Sequence, residues 1–562
     1  MKRIKIFIAI LFCIAISVQS MFAIEIVVRA PDMSVKSTGG IKGENWNIWS
    51  TGFISENFDF PNDGEYKLTV TAQGDKAFNI WPIMKVSFND NDAYTVSVES
   101  AEAREYSFTA KIAKGFNLIK IHFVNDTYDP EKKEDRNLHV KQLKMEPAGS
   151  APLPRIMNME EVKKIQAARR EALMQKVKEQ ADKVRKGELK ISVIDKSGKA
   201  IKDAVVSVDQ LRHEFWFGTA IATSVLKFDK VTREKFLNTL KENFNSAVHE
   251  NALKWYGIER EKGKLRYEDA DKILAWCDQN NIVMRGHCLF WEVEEVLQQW
   301  VKDLNKEELR QAVIKRANEV TQRYKGRIVE YDVNNEMMHG KFYQERLGEG
   351  IWKEMFDIAH KNDPEAVLYV NDYEIMVNGY MNEKYAAHIK HLQDMGARVG
   401  GIGIQGHFDA AVDPVQVEKS LEVLSKFNLP IKITEFDVNS DDEQVKAEGL
   451  EALYRICFAY PQVKGILMWG FWEGAHWRPK SAIFKKDFTL TLSAKMHRKL
   501  VYDEWWTREN GKTDEKGIYS CRPYFGDHMI TVTMPGGKTL TQKVTLGSAE
   551  KNKKIQIAVN AK

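Results

Sequence analysis

Between residues 213 and 508 the chain switches about eight times between a short apolar run and a long helical stretch. The runs lie at 215–221, 244–250, 282–290, 328–336, 367–372, 401–407, 431–437 and 466–470. Between them stand stretches such as VTREKFLNTLKEN and NKEELRQAVIKRANEVTQRY, whose apolar residues return at helical spacing. That many strand–helix units in under 300 residues predicts an α/β fold, a parallel (β/α)8 barrel. A doubly wound sheet has the same alternation, but no glycine-rich phosphate turn follows the first run.

In such a barrel the chemistry sits at the carboxyl ends of the strands. Here those ends carry His249-Glu250-Asn251, His287, Asn335-Glu336, Asn371-Asp372, Gln405, His407, Glu435, Asp437 and Trp469. A strand that served packing alone has no use for an acid at its end. Two acids on separate strands, Glu336 on the fourth and Glu435 at the end of the seventh, suit glycoside hydrolysis. One protonates the departing oxygen; the other attacks the anomeric carbon or activates water. Asn335 is placed to bond a sugar hydroxyl, and His407 with Asp437 to keep Glu435 ionised.

The rest of the chain reads as modules around this barrel. Residues 1–23 have a basic start and an apolar core from Ile6 to Val18, the layout of a secretory signal peptide, which implies a secreted or periplasmic protein. Residues 24–148 contain many short alternating runs and no helical stretch, which predicts a β-sandwich. Residues 149–188 form a helical linker, 189–212 a small β segment and 509–562 a C-terminal β segment, and the two β pieces are expected to flank the barrel and to pair. No other apolar stretch is long enough for a membrane span in the mature chain. The net charge of +4 loses three cations with Lys2, Arg3 and Lys5 of the leader, 4 − 3 = +1, so nothing points to nucleic acid. Five scattered cysteines with no CxxC pair exclude a disulfide framework or a zinc site.

Seven segments in order give the barrel a family resemblance. They are Glu250-Asn251-Ala252-Leu253-Lys254-Trp255, Arg285-Gly286-His287 through Trp291, Asp332-Val333-Asn334-Asn335-Glu336, Asn371-Asp372-Tyr373, Gly403-Ile404-Gln405-Gly406-His407, Thr434-Glu435-Phe436-Asp437, and Trp469-Gly470 with Trp477-Arg478. The barrel resembles glycoside hydrolase family 10, the retaining endo-β-1,4-xylanases. The resemblance implies a secreted enzyme that cleaves internal β-1,4-xylosidic bonds of xylan or a related plant cell-wall polysaccharide, with no cofactor for catalysis. It makes Glu336 the general acid and base and Glu435 the nucleophile, supported by Asn335, His407 and Asp437. It gives Glu250, Asn251, Lys254, His287 and Gln405 hydrogen bonds to sugars, and walls the subsites with Trp291, Trp469 and Trp477. Tyr331 stands where a Trp is usual, Glu292 where His is frequent, and Trp472, Glu473 and His476 also depart from the pattern. Glu292 and the latter three are expected near the sugar-binding end, bearing on substrate preference. The alternatives are hydrolysis of another β-glycan and a non-catalytic polysaccharide-binding protein.

Residues 123–145 crowd Asn125, Asp126, Asp129, Glu131, Glu134, Asp135 and Asn137 between two strands. Clustered oxygen donors suit a hard cation, above all Ca2+, though an ordinary acidic loop looks the same. The pattern resembles calcium-dependent xylan-binding modules, which implies Ca2+ held by Asp126 and Asp135, with Asn125. Trp46, Trp49 and Trp81 are stacking or core residues; the sequence does not separate the two.

Overall fold

The computed structural model describes residues 25–89, 91–129, 132–550 and 552–558. The expected leader and Glu131 of the acidic loop lie outside them. The chain divides after Ala167 into two compact units.

The first unit is built from two six-stranded antiparallel sheets. In one, Asn137–Pro147 is paired with Gly64–Asp75, Asn45–Ile48 and Ile26–Arg29. In the other, Gly115–Phe123 lies between Gly52–Phe60 and Ile83–Phe88. Alternation decides which side is buried: Ile119, Ile121 and Phe123 point inward while Lys120 and His122 stay partly open. They meet Tyr66, Leu68 and Val70 of the opposite sheet in one apolar core, each such side chain contributing roughly 1.5–3 kcal/mol. This is the expected β-sandwich.

The second unit contains the barrel. Its strands are β1 (Trp216–Ile221), β2 (Ser246–His249), β3 (Val283–Gly286), β4 (Ile328–Asn335), β5 (Val367–Asp372), β6 (Gly401–Ile404), β7 (Ile431–Val438) and β8 (Val463–Met468). Each is parallel to the next, and β8 pairs with β1, closing the ring. Three local readings differ from the sequence. The run 282–290 breaks after Gly286, and Phe290–Trp291 pairs separately alongside Asn334 and Asn335. Glu435 lies inside β7, because His407–Phe408 pairs with Asp437 and Val438 and prolongs that strand. The eighth strand ends at Met468, so Trp469 follows it.

The barrel interior is charged as well as apolar. Arg285 is fully buried and donates to Asp332 and, at 2.6 Å, to Glu330. Lys432 donates to the other Glu330 oxygen at 2.8 Å. Arg285 therefore neutralises the carboxylate that holds a residue of the site above, His287.

The two β pieces, which the whole barrel separates in sequence, do pair. Glu188–Ile194 lies between Ile518–Cys521 and Asn552–Ala558. Val205–His213 lies between Arg508–Lys512 and Gly526–Thr533. Ile191, Val193, Val206, Val208, Ile530 and Val532 fill the space between these sheets. Helix Met159–Arg185 ends against the barrel: Leu173, Val177 and Ala181 join its core, and the Arg185 guanidinium donates to the carbonyls of Phe458, Tyr460 and Val463. No helix among the described residues is long and apolar enough to cross a membrane.

Candidate active site

Glu336 is the first residue past β4. Its backbone takes the left-handed conformation, φ 59°, fixed by its N–H donating to the Asn371 carbonyl at 2.9 Å. A non-glycine residue is held there only when its surroundings over-determine it. Three side chains then hold the carboxylate. Trp291 Nε1 donates to Oε2 at 2.8 Å; Gln405 Nε2 and Asn335 Nδ2 donate to Oε1 at 2.8 and 3.1 Å. Burial, partly offset by these donors and reinforced by the nearby charges of Glu435 and Asp372, lifts its pKa above the ordinary glutamate value.

Glu435 has the opposite balance. It is more deeply buried than Glu336, which alone raises its pKa. His407, His287 and Lys254 outweigh that burial, and the pKa falls below the ordinary value. His407 Nε2 lies 3.4 Å from Oε2, and its Nδ1 lies 3.1 Å from Asp437 Oδ1. Burial opposes the charge on this imidazole, but the two carboxylates prevail and raise its pKa to about 9. It is thus a cation at neutral pH. Trp477 Nε1 donates to the second Asp437 oxygen at 2.8 Å and fixes that carboxylate in turn.

The two acids are joined by a pair of amides. Asn371 Nδ2 donates to Glu435 Oε1 and to Asn335 Oδ1, both at 2.9 Å, and Asn335 passes the chain on to Glu336. Thr434 Oγ1 donates to Asn371 Oδ1 at 2.6 Å and locks the amide's orientation. Asn371 was visible in the sequence as a polar strand end, yet its bridging role was not, because Asn335 of β4 and Glu435 of β7 become neighbours of this amide only in the folded barrel.

The remaining expected residues gather on the side of β2, β3 and β8. Lys254 is buried, its amine 4.4 Å above the Trp291 ring and 5.6 Å from that of Trp469. His287 donates from Nδ1 to Asp332 at 2.9 Å and sets its edge against Trp469. Asn251 donates to Glu250 and accepts from Tyr256. Trp469 is buried, whereas Trp477 is 46% exposed.

The expected departures resolve differently. Glu292 does not face the mouth. It is wholly buried and accepts from Asn334, from the Gln344 N–H at 2.9 Å and from Trp352 at 3.2 Å, so it is an internal anchor rather than a substrate-selecting group. Trp472 packs into the core against Phe228 and Phe488. Glu473 holds the Lys486 N–H. His476 is buried beside Gly470 and in the field of Asp437 and His407. A cavity of about 360 Å3 lies around Trp216, Glu330 and Lys432, and neither acid lines it.

In the first unit the oxygen-rich loop between Asn125 and Asn137 leaves two oxygens for a cation. Asp126 Oδ1 is buried with no hydrogen-bond partner among the described residues. Burial, and to a smaller degree the charge of Asp135, lifts its carboxyl above the ordinary range. Asn137 donates to Asp135 at 2.9 Å and leaves its own Oδ1 buried and unpartnered. This set of oxygens suits a hard cation. Asn125 does not belong to it: its amide accepts from the Ile83 N–H and donates to the Trp81 carbonyl, pinning two backbones. No three His, Cys, Asp or Glu cluster round a metal among the described residues. Trp49 is 53% exposed, while Trp46 and Trp81 are half-buried under Lys36 and Lys76.

Comparison with known proteins follows this geometry. Residues 208–507 match the model of glycosyl hydrolase family 10, and residues 67–157 that of a Ca-dependent, xylan-binding carbohydrate-binding module. Endo-1,4-beta-xylanase 1 of Arabidopsis thaliana is 41% identical over 364 residues, 64% of this chain and 38% of its own. The anti-sigma-I factor RsgI6 of Acetivibrio thermocellus is 42% identical over 359 residues, 64% of this chain and 46% of its own. The chain spans less than half the length of either relative. Among solved structures, xylanase 10B from Thermotoga petrophila in complex with xylobiose is 27% identical with a TM-score of 0.48, covering 52% of this chain and 95% of that one.

Proposed function

The chain belongs to glycosyl hydrolase family 10, and from that membership we propose that it is a retaining endo-1,4-β-xylanase. The two relatives, each matched over less than half of its own length, carry different names, so the site decides between readings. The observation that carries it is the opposed pair of acids: Glu336 with its pKa raised, Glu435 with its pKa lowered, joined through Asn335 and Asn371.

In the first step Glu336, protonated, gives its proton to the glycosidic oxygen as Glu435, ionised, bonds to the anomeric carbon. The leaving sugar departs with the C–O electron pair and that proton. In the second step Glu336, now a carboxylate, takes a proton from water, whose oxygen displaces Glu435 from the same carbon. Two displacements return the original configuration. Trp291, Gln405 and Asn335 aim the acid. Lys254, His287, Trp469 and Trp477 offer donors and flat faces to the sugar on the bound side. The test is release of reducing ends from xylan, β-glucan and mixed-linkage polymers. Xylan should be the best substrate, and preference for another polymer would move the assignment.

For the first unit we propose capture of the same polysaccharide, raising its local concentration beside the barrel. Asp126 and Asp135 would hold Ca2+, which supplies a positive centre for sugar hydroxyls. Export is proposed from the leader-like residues 1–23.

A further inference from the structure

We propose that His339 is a positioning residue that holds the Tyr373 ring as the seat for the sugar on the leaving-group side of the scissile bond. The inference rests on the reading of Glu336 and Glu435 as acid and nucleophile.

Strand order carries the first part of the argument. Glu336 follows β4 and Glu435 lies in β7. These two strands divide the barrel mouth into two arcs. The arc of β8, β1, β2 and β3 holds Lys254, His287 and Trp469. The other arc is β5 and β6, and its aromatic group past β5 is Tyr373. A polymer lying with its bond between the two acids must place one sugar over each arc. The leaving sugar therefore lies toward Tyr373, whose phenol also stands within the field of Glu336.

The second part is how Tyr373 is held. The His339 ring stacks on it with centroids 3.6 Å apart and planes 14° apart. His339 Nδ1 donates to Asp372 Oδ1 at 2.7 Å. The same buried carboxylate accepts from the Met338 N–H at 2.8 Å and the Tyr373 N–H at 3.0 Å. Asp372 thus clamps the loop after β4 to the loop after β5. His339 also donates its backbone N–H to the Glu336 carbonyl at 3.1 Å. One imidazole therefore ties the aromatic seat to the segment that carries the proton donor. Tyr373 is partly exposed, and an aromatic ring fixed on one face by a partner can offer its other face to the CH face of a pyranose.

The test compares two substrates in each variant. Xylotetraose leaves a sugar on the Tyr373 side; β-xylobiosyl fluoride leaves a single atom. For His339→Ala, the ratio of kcat/KM on xylotetraose to that on the fluoride should fall about tenfold. His339→Phe, which keeps the stack and loses the hydrogen bond, should recover most of that ratio. Because one preparation cleaves both substrates, the ratio is independent of the fraction folded. An unchanged ratio in His339→Ala, or equal loss in the Ala and Phe variants, overturns the proposal. A wild-type chain that cleaves neither substrate would instead refute the activity itself.

Discussion

At the scale of single residues, the site depends on two glutamates whose surroundings shift their pKa values in opposite directions. Desolvation acts on both in the same direction. The difference is made by their neighbours: the His407 imidazolium and Lys254, with His287 beside them, bear on Glu435, whereas Glu336 meets neutral donors and other carboxylates. The rate should therefore rise with pH as Glu435 ionises and fall as Glu336 loses its proton, giving a bell. Replacing His407 by Ala removes the imidazolium, and burial then governs Glu435. Its pKa rises, so the acid limb of kcat/KM should move to higher pH and the bell should narrow. An acid limb that stays in place contradicts the assigned role of His407. The acids, His407 and Asp437 could be singled out in the sequence because each falls in or just past an apolar run near another polar residue. Glu292 was misread for the same reason. Its position after Trp291 suggested the mouth, but the side chain turns inward to three donors, which sequence position does not reveal.

At the scale of elements, tight approaches between strands set the geometry. A methyl group at Gly403 in β6 would lie 2.6 Å from Asn371 Oδ1 and 2.7 Å from the Val370 carbonyl. Gly403→Ala must therefore push on the amide that links Glu435 to Asn335. The expected outcome is a fall of about tenfold or more in kcat, with a stability loss of about 1–3 kcal/mol, measured by steady-state kinetics and thermal unfolding. Full activity would mean that the amide chain does not govern the acids' placement. The eight strands could be read from their apolar runs, since a parallel sheet covered on both faces buries nearly every residue. The break after Gly286 and the prolongation of β7 could not, because both follow from pairing with short segments distant in sequence.

At the scale of the whole molecule, several buried histidines are neutral. His213, His249 and His497 each have a pKa depressed from 6.5 to about 4, burial being the largest cause. In the unfolded chain they bind a proton near 6.5, so their contribution to stability is complete above that pH and is lost as pH falls toward 4. Each such group costs about 1.4 kcal/mol per pH unit in this window. Denaturant unfolding of the barrel unit between pH 7 and 4.5 should show stability falling steeply below 6.5. A flat profile would mean that these groups are charged or exposed in the fold. The β-sandwich and the barrel were legible from the rhythm of their apolar runs. The closure of residues 188–213 with residues 508–558 was foreseen only as a pairing, because nothing local to either piece specifies its partner.

The central claim is that Glu435 bonds to the sugar while Glu336 donates the proton. The direct measurement is to incubate the protein with a 2-deoxy-2-fluoro-xylobioside bearing a dinitrophenyl leaving group and to map the labelled peptide by mass spectrometry. The account predicts one fluoroxylobiosyl group per chain, attached to Glu435. A label on Glu336, or steady turnover with an inverted product and no trapped intermediate, would contradict it.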